Sequence, residues 1–183
     1  MQSRSPKNRL RHFFAGLSEH VFQTRLGVVD TQLTDYITDM LIRFTRSEQL
    51  QQTLVRRDTE LNEMAHMLLE TEQDRQQDCR ELHRQIGDMA LFRTGIFPES
   101  LAIKIPQQPK ANRFSDYCWQ GKRAYLIASR LQTNNAQTPP STVLKRLADQ
   151  FEICALGLKT IREQWKESAK EAGGTSGLLL IWP

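Results

Sequence analysis

The sequence predicts an all-α protein, an irregular bundle of about six or seven helices with a long ordered loop around residues 95–113. Apolar residues recur at spacings of three and four along most of the chain, as in amphipathic helices. No Gly or Pro occurs between Val28 and Ile86, so this stretch has few signals for strands and tight turns. Hydrophobic residues make up 39% of the chain and charged residues 25%, which is typical of a folded domain.

The length of 183 residues allows one core that needs no disulfide or metal to hold it. We therefore predict a single helical domain over residues 1–183. Residues 1–8 are expected to form a frayed basic tail. Residues 173–183 are expected to dock on the core, because the apolar run at 178–182 would otherwise be an exposed patch.

The N-terminal half predicts three or more helices. The first covers about residues 6–26 and ends at Gly27, since Gly is a favoured helix stop. Asp30 stands where an N-cap belongs, ahead of a second helix. The apolar stripe of that helix consists of Leu33, Tyr36, Ile37, Met40, Leu41 and Phe44. The whole region from Val28 to Ile86, which includes this helix, predicts two or three helices in series, with breaks at capping residues such as Ser47.

Two helices are predicted after the loop around 95–113. Ser115 is a candidate cap for a helix that runs to about Leu131, and Ser141 for a last helix that ends at Gly173. Apolar residues of the last helix follow a strict 3-4 spacing, which indicates lengthwise packing against another helix. They are Leu144, Leu147, Phe151, Cys154, Leu158, Ile161 and Trp165.

The cysteines and the termini indicate a cytoplasmic protein. Cys79, Cys118 and Cys154 are odd in number and lack any Cys-x-x-Cys pair, so we expect reduced thiols rather than disulfides. The basic N-terminus has no continuous apolar stretch of the kind found in signal peptides. The longest apolar run is too short to span a bilayer, and no membrane insertion is expected.

One pair of residues suggests a metal site. Glu63 and His66 form a Glu-x-x-His motif, whose side chains share a helix face as in carboxylate-bridged metal sites. The motif occurs once, whereas a di-iron bundle needs two such motifs and two more carboxylates. A solvated polar helix face is therefore the preferred interpretation, and no cofactor is predicted. A metal-dependent enzyme would require residues such as His20 and His83 to converge with His66.

Other catalytic motifs are missing from the sequence. There is no Gly-x-Ser-x-Gly elbow, no P-loop and no Gly-x-Gly-x-x-Gly fingerprint. No catalytic residue is assigned, and the interpretation leans away from an enzyme.

Basic residues suggest a nucleic-acid interface as one alternative. The candidates are Arg9 and Arg11 in the basic N-terminus, and Lys122 and Arg123 within residues 104–125. Residues 113–125 interleave aromatic and basic side chains, a mixture that suits single-stranded nucleic acid. The same residues also suit an amphipathic helix with its bases in solvent.

The segment Gln85-Ile86-Gly87-Asp88-Met89-Ala90-Leu91-Phe92-Arg93-Thr94-Gly95-Ile96-Phe97-Pro98-Glu99, together with residues 13–46, resembles conserved hypothetical proteins of bacteria with no assigned activity. The resemblance covers about half the chain and carries no catalytic residues. It implies a bacterial protein and no reaction.

The favoured interpretation is a non-catalytic binding or scaffold protein that acts through helix faces. Its partner would be a protein, either a second copy or another chain, contacted through helix faces and the apolar C-terminal tail. The alternatives are a nucleic-acid-associated protein and a metal-dependent enzyme with its site in the bundle.

Overall fold

The structure is a computed structural model that describes residues 6–46, 76–102, 113–132 and 138–171. Within these ranges all regular secondary structure is helical, which confirms the all-α class. The α-helices of the described ranges are α1 (Pro6–Glu19), α2 (Thr31–Arg46), α3 (Gln76–Ile96), α4 (Arg113–Arg130), α5 (Ser141–Asp149) and α6 (Phe151–Glu171). A π-helical segment, His20–Arg25, follows α1, and a 3-10 segment, Pro98–Ala102, follows α3.

The chain groups into two compact units. The first unit consists of residues 1–50 and 156–183, and the second of residues 51–155. The single domain proposed from the sequence stays a prediction. Residues 1–5 and 172–183, which include most of the two predicted tails, lie outside the described residues.

The first unit has a core built by α1, the π-helical segment, α2 and the later part of α6. The ring of Trp165 meets Phe14 edge-on, with centroids 5.3 Å apart, and Phe13 at 6.2 Å. Such edge-to-face pairs add stability beyond the burial of their area. The other large apolar side chains of this core are Val21, Phe22, Leu33, Ile37, Met40, Leu41, Leu158 and Ile161.

The turn between α1 and α2 confirms two of the predicted signals. Gly27 has a φ of +67°, a conformation that favours glycine, and the helical segment ends before it. The Asp30 Oδ1 atom accepts a hydrogen bond from the backbone N–H of Leu33 at 3.0 Å, which is an N-cap. The first helix differs from expectation because it continues after Glu19 as a π-helix. This wider turn buries the neighbouring side chains of Val21 and Phe22 together.

The second unit is built by α3, α4, α5 and the first turn of α6. Helices α3 and α4 approach closely where α3 has Gly87, since a Cβ atom there would lie 2.7 Å from the Tyr125 ring. Gly121 of α4 likewise faces the Phe151 ring, where a Cβ atom would lie 2.9 Å from the Cβ of Ala90. Both glycines thus leave room for a buried aromatic ring.

The predicted last helix is broken in two. Gln150 has φ −113° and ψ 26°, so α5 ends at Asp149 and α6 begins at Phe151. Every residue of the predicted apolar seam is buried on both sides of the break. Pro140 precedes the first turn of α5, and Ser141 makes no side-chain capping bond. The predicted cap at Ser115 is also wrong, because α4 begins two residues earlier at Arg113.

The predicted loop around 95–113 begins later than expected in the described structure. Helix α3 includes Gly95 and ends at Ile96, and the 3-10 segment follows directly. Residues 103–112 lie outside the described residues. Ile96 and Leu101 are buried, so this part of the connection packs on the core, as its apolar sequence indicates.

Gly157→Ala is predicted to destabilise the first unit. Its Cβ would lie 2.8 Å from Cε2 of the buried Phe22 ring, and overpacking of this kind costs about 1–3 kcal/mol, more than the helix propensity that Ala adds. Gly16→Ala is the control, because nothing lies within 4 Å of its Cβ, and it should stabilise by about 0.5–1 kcal/mol. Urea unfolding of both variants measures the difference. Equal effects of the two substitutions would contradict the packing described for Gly157.

Candidate functional site

The outward face of α4 carries an aromatic and basic row that we call the α4 stripe. It consists of Trp119, Arg123, Leu126 and Arg130, whose 4-3-4 spacing places them on one side of the helix. Leu126 is half-buried and the other three are exposed, with Trp119 63% exposed. The opposite face buries the small and aromatic side chains Cys118, Ala124, Tyr125 and Ala128.

The two arginines of the α4 stripe expose their charges to solvent. The guanidinium carbon of Arg123 lies 5.3 Å from the centroid of the Trp119 ring, which is a cation–π arrangement. Within the part of the chain that the structure describes, no carboxylate forms an ion pair with Arg123 or Arg130. The stripe therefore offers one large aromatic surface and two cations to solvent.

Contacts with α3 and with the first turn of α6 hold α4 in this orientation. The Arg93 guanidinium hydrogen-bonds to the Tyr117 hydroxyl and lies over its ring, at 5.4 Å from the centroid. Lys122 forms an exposed ion pair with Glu152 in the first turn of α6. These contacts, with the packing at Gly121, join α4 to both neighbouring helices.

The Lys122 ion pair also changes the acidity of its partner. Partial burial opposes ionisation of Glu152, but the hydrogen bond from Lys122, a backbone hydrogen bond and the Lys122 charge outweigh it. Together they hold the pKa of the Glu152 carboxyl below its ordinary value. The carboxyl of Glu152 is therefore ionised at neutral pH.

The four bases predicted for nucleic-acid binding differ in their surroundings. Arg9 is exposed on α1. Arg11 pairs with Asp39 of α2 at 2.7 Å, and Lys122 pairs with Glu152. Arg123 belongs to the α4 stripe. Two of the four candidates are thus neutralised by carboxylates, and Arg130, which the sequence interpretation did not single out, is a further exposed base.

The metal candidates Glu63 and His66 lie outside the described residues. Of the other histidines in the sequence hypothesis, His20 is exposed in the first unit and His83 is buried in the second. Across residues 6–46, 76–102, 113–132 and 138–171, no three His, Cys, Asp or Glu side chains group so as to hold a metal ion. The metal site stays a prediction.

Helix α3 contains a buried ionic network that the sequence interpretation missed. The Arg84 guanidinium pairs with both Glu81 and Asp88. Asp88, 3% exposed, also accepts a hydrogen bond from the Tyr125 hydroxyl at 2.8 Å. Arg80, which is buried and directly precedes Glu81 in the sequence, donates a hydrogen bond to the carbonyl oxygen of Pro139 at 2.6 Å. The signal available in the sequence is the spacing of three and four between Glu81, Arg84 and Asp88, which places them on one helix face.

The charges of Arg84 and Asp88 are paired within this network. Arg84 lies between two carboxylates, and both oxygens of Asp88 accept hydrogen bonds, from Arg84 and Tyr125. A buried carboxylate without such partners would be costly. The arrangement joins α3 to α4 in the second unit, and we interpret it as structural.

The three thiols are free and buried. Burial raises the pKa of Cys79. It also raises the pKa of Cys118, to which the Glu152 charge adds and which Lys122 partly opposes. Because the thiolate is the reactive form, these two cysteines are poor nucleophiles at neutral pH.

No helix within the described ranges combines the length and the apolar character needed to cross a membrane.

Asp88→Ala should destabilise the second unit by about 3–5 kcal/mol, because it leaves the buried Arg84 with one carboxylate fewer. Tyr125→Phe, which removes one hydrogen bond to Asp88, should cost about 1–3 kcal/mol. The matched control is Asp149→Ala, which breaks an exposed pair with Lys145 and should cost less than about 1 kcal/mol. Chemical denaturation gives the three values, and similar costs for Asp88 and Asp149 would be incompatible with a buried network.

The buried thiols predict a loss of stability in alkali. A pKa raised by folding means that the unfolded chain loses its thiol protons first, near the ordinary value of 9.0. This contribution to stability is intact below that pH and is lost as the pH rises through the folded-state values. The free energy of unfolding should fall less between about pH 8 and 10 in Cys79→Ala/Cys118→Ala than in the parent chain. An identical fall in both proteins would refute this origin.

Comparison with known proteins supplies no relative. The chain matches no protein-family model, no curated protein sequence and no solved structure. The resemblance to bacterial proteins without assigned activity stays a prediction. Among the described side chains, the α4 stripe combines an exposed Trp with two exposed arginines.

Proposed function

We propose that this chain is a non-catalytic binding protein of the bacterial cytoplasm, and that it recognises a protein partner through the α4 stripe. One observation carries the proposal, the 63% exposure of Trp119 with Arg123 held against its ring. Trp and Arg are the residues most enriched among those that dominate binding energy at protein interfaces. A partner that covers Trp119 would remove a large apolar surface from water.

The packing of α4 against its neighbours supports this role. The helix is held by the ring of Phe151 at Gly121, by the Arg93–Tyr117 contact and by the Lys122–Glu152 pair. A surface that is already ordered loses less conformational entropy on binding than a mobile loop. Arg123, which rests on the indole, has likewise lost part of its rotamer freedom before a partner arrives.

Nucleic acid is the second candidate, because an exposed Trp beside Arg also suits base stacking. The pairing of Arg11 and Lys122 with carboxylates weighs against it, since binding to phosphates depends on available cations. The metal-dependent enzyme is the third candidate. It rests on Glu63 and His66, which lie outside the described residues.

Trp119→Ala should abolish the capture of a defined protein partner while leaving the fold intact. The tagged chain is expressed at native level in a bacterial host and crosslinked, and stoichiometric copurifying species are identified by mass spectrometry. The variant removes an exposed side chain, so its stability should change by less than about 1 kcal/mol. Val29→Ala removes another exposed apolar side chain, 83% exposed in the first unit, and should leave capture unchanged.

Two other outcomes of the crosslinking experiment would contradict the proposal. A partner that is retained by the Trp119 variant would refute the proposed surface. Stoichiometric RNA in place of protein, lost in the same variant and in higher salt, would favour the nucleic-acid candidate.

A further inference from the structure

Resting on this proposed function, we infer that the partner presents an acidic amphipathic helix. Two of its carboxylates, one heptad apart, face Arg123 and Arg130, and an apolar side chain between them contacts Leu126. The apolar end of the same helix face covers Trp119. The inference combines the spacing of the α4 stripe, its charge and its composition.

The 4-3-4 spacing of the stripe is the pattern by which two helices pack lengthwise. At 1.5 Å of rise per residue, Trp119 and Arg130 are about 16 Å apart along the helix axis, which corresponds to three turns. A surface of this length and width suits a helix of similar length. Recognition of helices by an apolar and charged groove or face is a common mode of protein binding.

The separation of the two arginines favours a helical over an extended partner. Arg123 and Arg130 are seven residues apart, or about 10.5 Å along the axis. In a partner helix, carboxylates at positions i and i+7 have the same separation and the same face. In an extended strand that distance corresponds to about three residues, which place their side chains on opposite faces.

The positive charge of the α4 stripe indicates that the partner surface is acidic. In the described part of the chain neither Arg123 nor Arg130 is paired with a carboxylate, and the acid nearest in sequence on the outer side, Asp116, precedes the stripe. An acidic partner would neutralise both cations as the surrounding apolar contacts exclude water, which strengthens the pairs. A second copy of the stripe would instead bring four arginines and no carboxylate of the stripe into one interface, so charge favours an acidic partner over self-association through this face.

The half-buried Leu126 provides an apolar contact between the two arginines of the stripe. It lies three residues after Arg123 and four before Arg130, and therefore between the two cations. A purely electrostatic ligand would gain nothing from it. A partner with Leu or a similar residue between its carboxylates would bury Leu126 as well as Trp119, at a gain proportional to the apolar area removed from water.

The test uses three synthetic helical peptides of about 20 residues. The acidic probe has Glu at i and i+7 with apolar residues at the intervening seam positions. The second peptide has the same composition, with its Glu residues moved to the opposite face. The third has Lys in place of those two Glu residues. Binding of each labelled peptide to the full chain is measured by fluorescence anisotropy, at low ionic strength and at about 0.15 M salt.

We expect the acidic probe to bind the parent chain at least about tenfold more tightly than the other two peptides. Arg123→Glu/Arg130→Glu should reverse this order and prefer the Lys peptide, a reversal that an unfolded protein would not show. Trp119→Ala should weaken the preference of the parent chain for the acidic probe and, in the double variant, the preference for the Lys peptide. Lys166→Glu, an exposed charge reversal on α6, is the control and should bind like the parent.

Equal binding of the two isomeric acidic peptides would overturn the inference, as would no binding of the acidic probe. Tighter binding of an oligouridine of about 15 nucleotides, lost in Arg123→Glu/Arg130→Glu, would overturn it in favour of nucleic acid. If the peptides fail while Trp119→Ala still loses a crosslinked protein, the acidic helix is wrong and the proposed function stands. If Trp119→Ala loses no partner, the proposed function itself is wrong.

Discussion

The close approach of helices at two glycines is the constraint on which the second unit depends. Gly87 lies against the Tyr125 ring and Gly121 against the Phe151 ring, and these two rings are themselves 6.3 Å apart. A side chain at either glycine would separate the helices. The approach determines which side of α4 is buried, and so it also determines that Trp119 and Arg123 face solvent.

The ionic contacts of this unit follow from the same packing. With its ring against Gly87, Tyr125 directs its hydroxyl to Asp88 in the next position of α3, where the same carboxylate also pairs with Arg84. With Phe151 seated at Gly121, the neighbouring residues Lys122 and Glu152 meet at the surface. Each aromatic ring thus lies next to one polar contact between helices, the Tyr125–Asp88 hydrogen bond or the Lys122–Glu152 pair, and neither contact would form if the helices stood further apart. Burial of the Arg84 network gives little net stability by itself, but loss of one member would leave a buried charge unpaired.

Signals that act within a few residues were predictable from the sequence, and those that act across the fold were not. The Asp30 cap, the stop at Gly27 and the buried seam of α5 and α6 depend on local spacing and were confirmed. The break at Gln150 was not predictable, since neither Gly nor Pro marks it and the apolar spacing continues through it. The pairing of Arg11 with Asp39 joins residues 28 apart in sequence, and that of Lys122 with Glu152 joins residues 30 apart. Only a structure could show that these two bases are neutralised. The α4 stripe lay within reach of sequence analysis, because its 4-3-4 spacing is visible opposite Cys118 and Tyr125.

The polar groups of the second unit fall into two kinds, those that are buried or paired within the protein and those that face solvent. Burial raises the pKa of Cys79 and of Cys118, whereas at Glu152 burial is outweighed by the contacts with Lys122, which lower the pKa. On α3, Arg84 is paired with Glu81 and Asp88. The α4 stripe differs from these groups because its Trp and its two arginines are exposed. An exposed Trp contributes little to the stability of the unit that carries it, whereas at an interface the same side chain can supply a large share of the binding energy. That contrast is the physical reason to look for the function of this protein on the outside of α4.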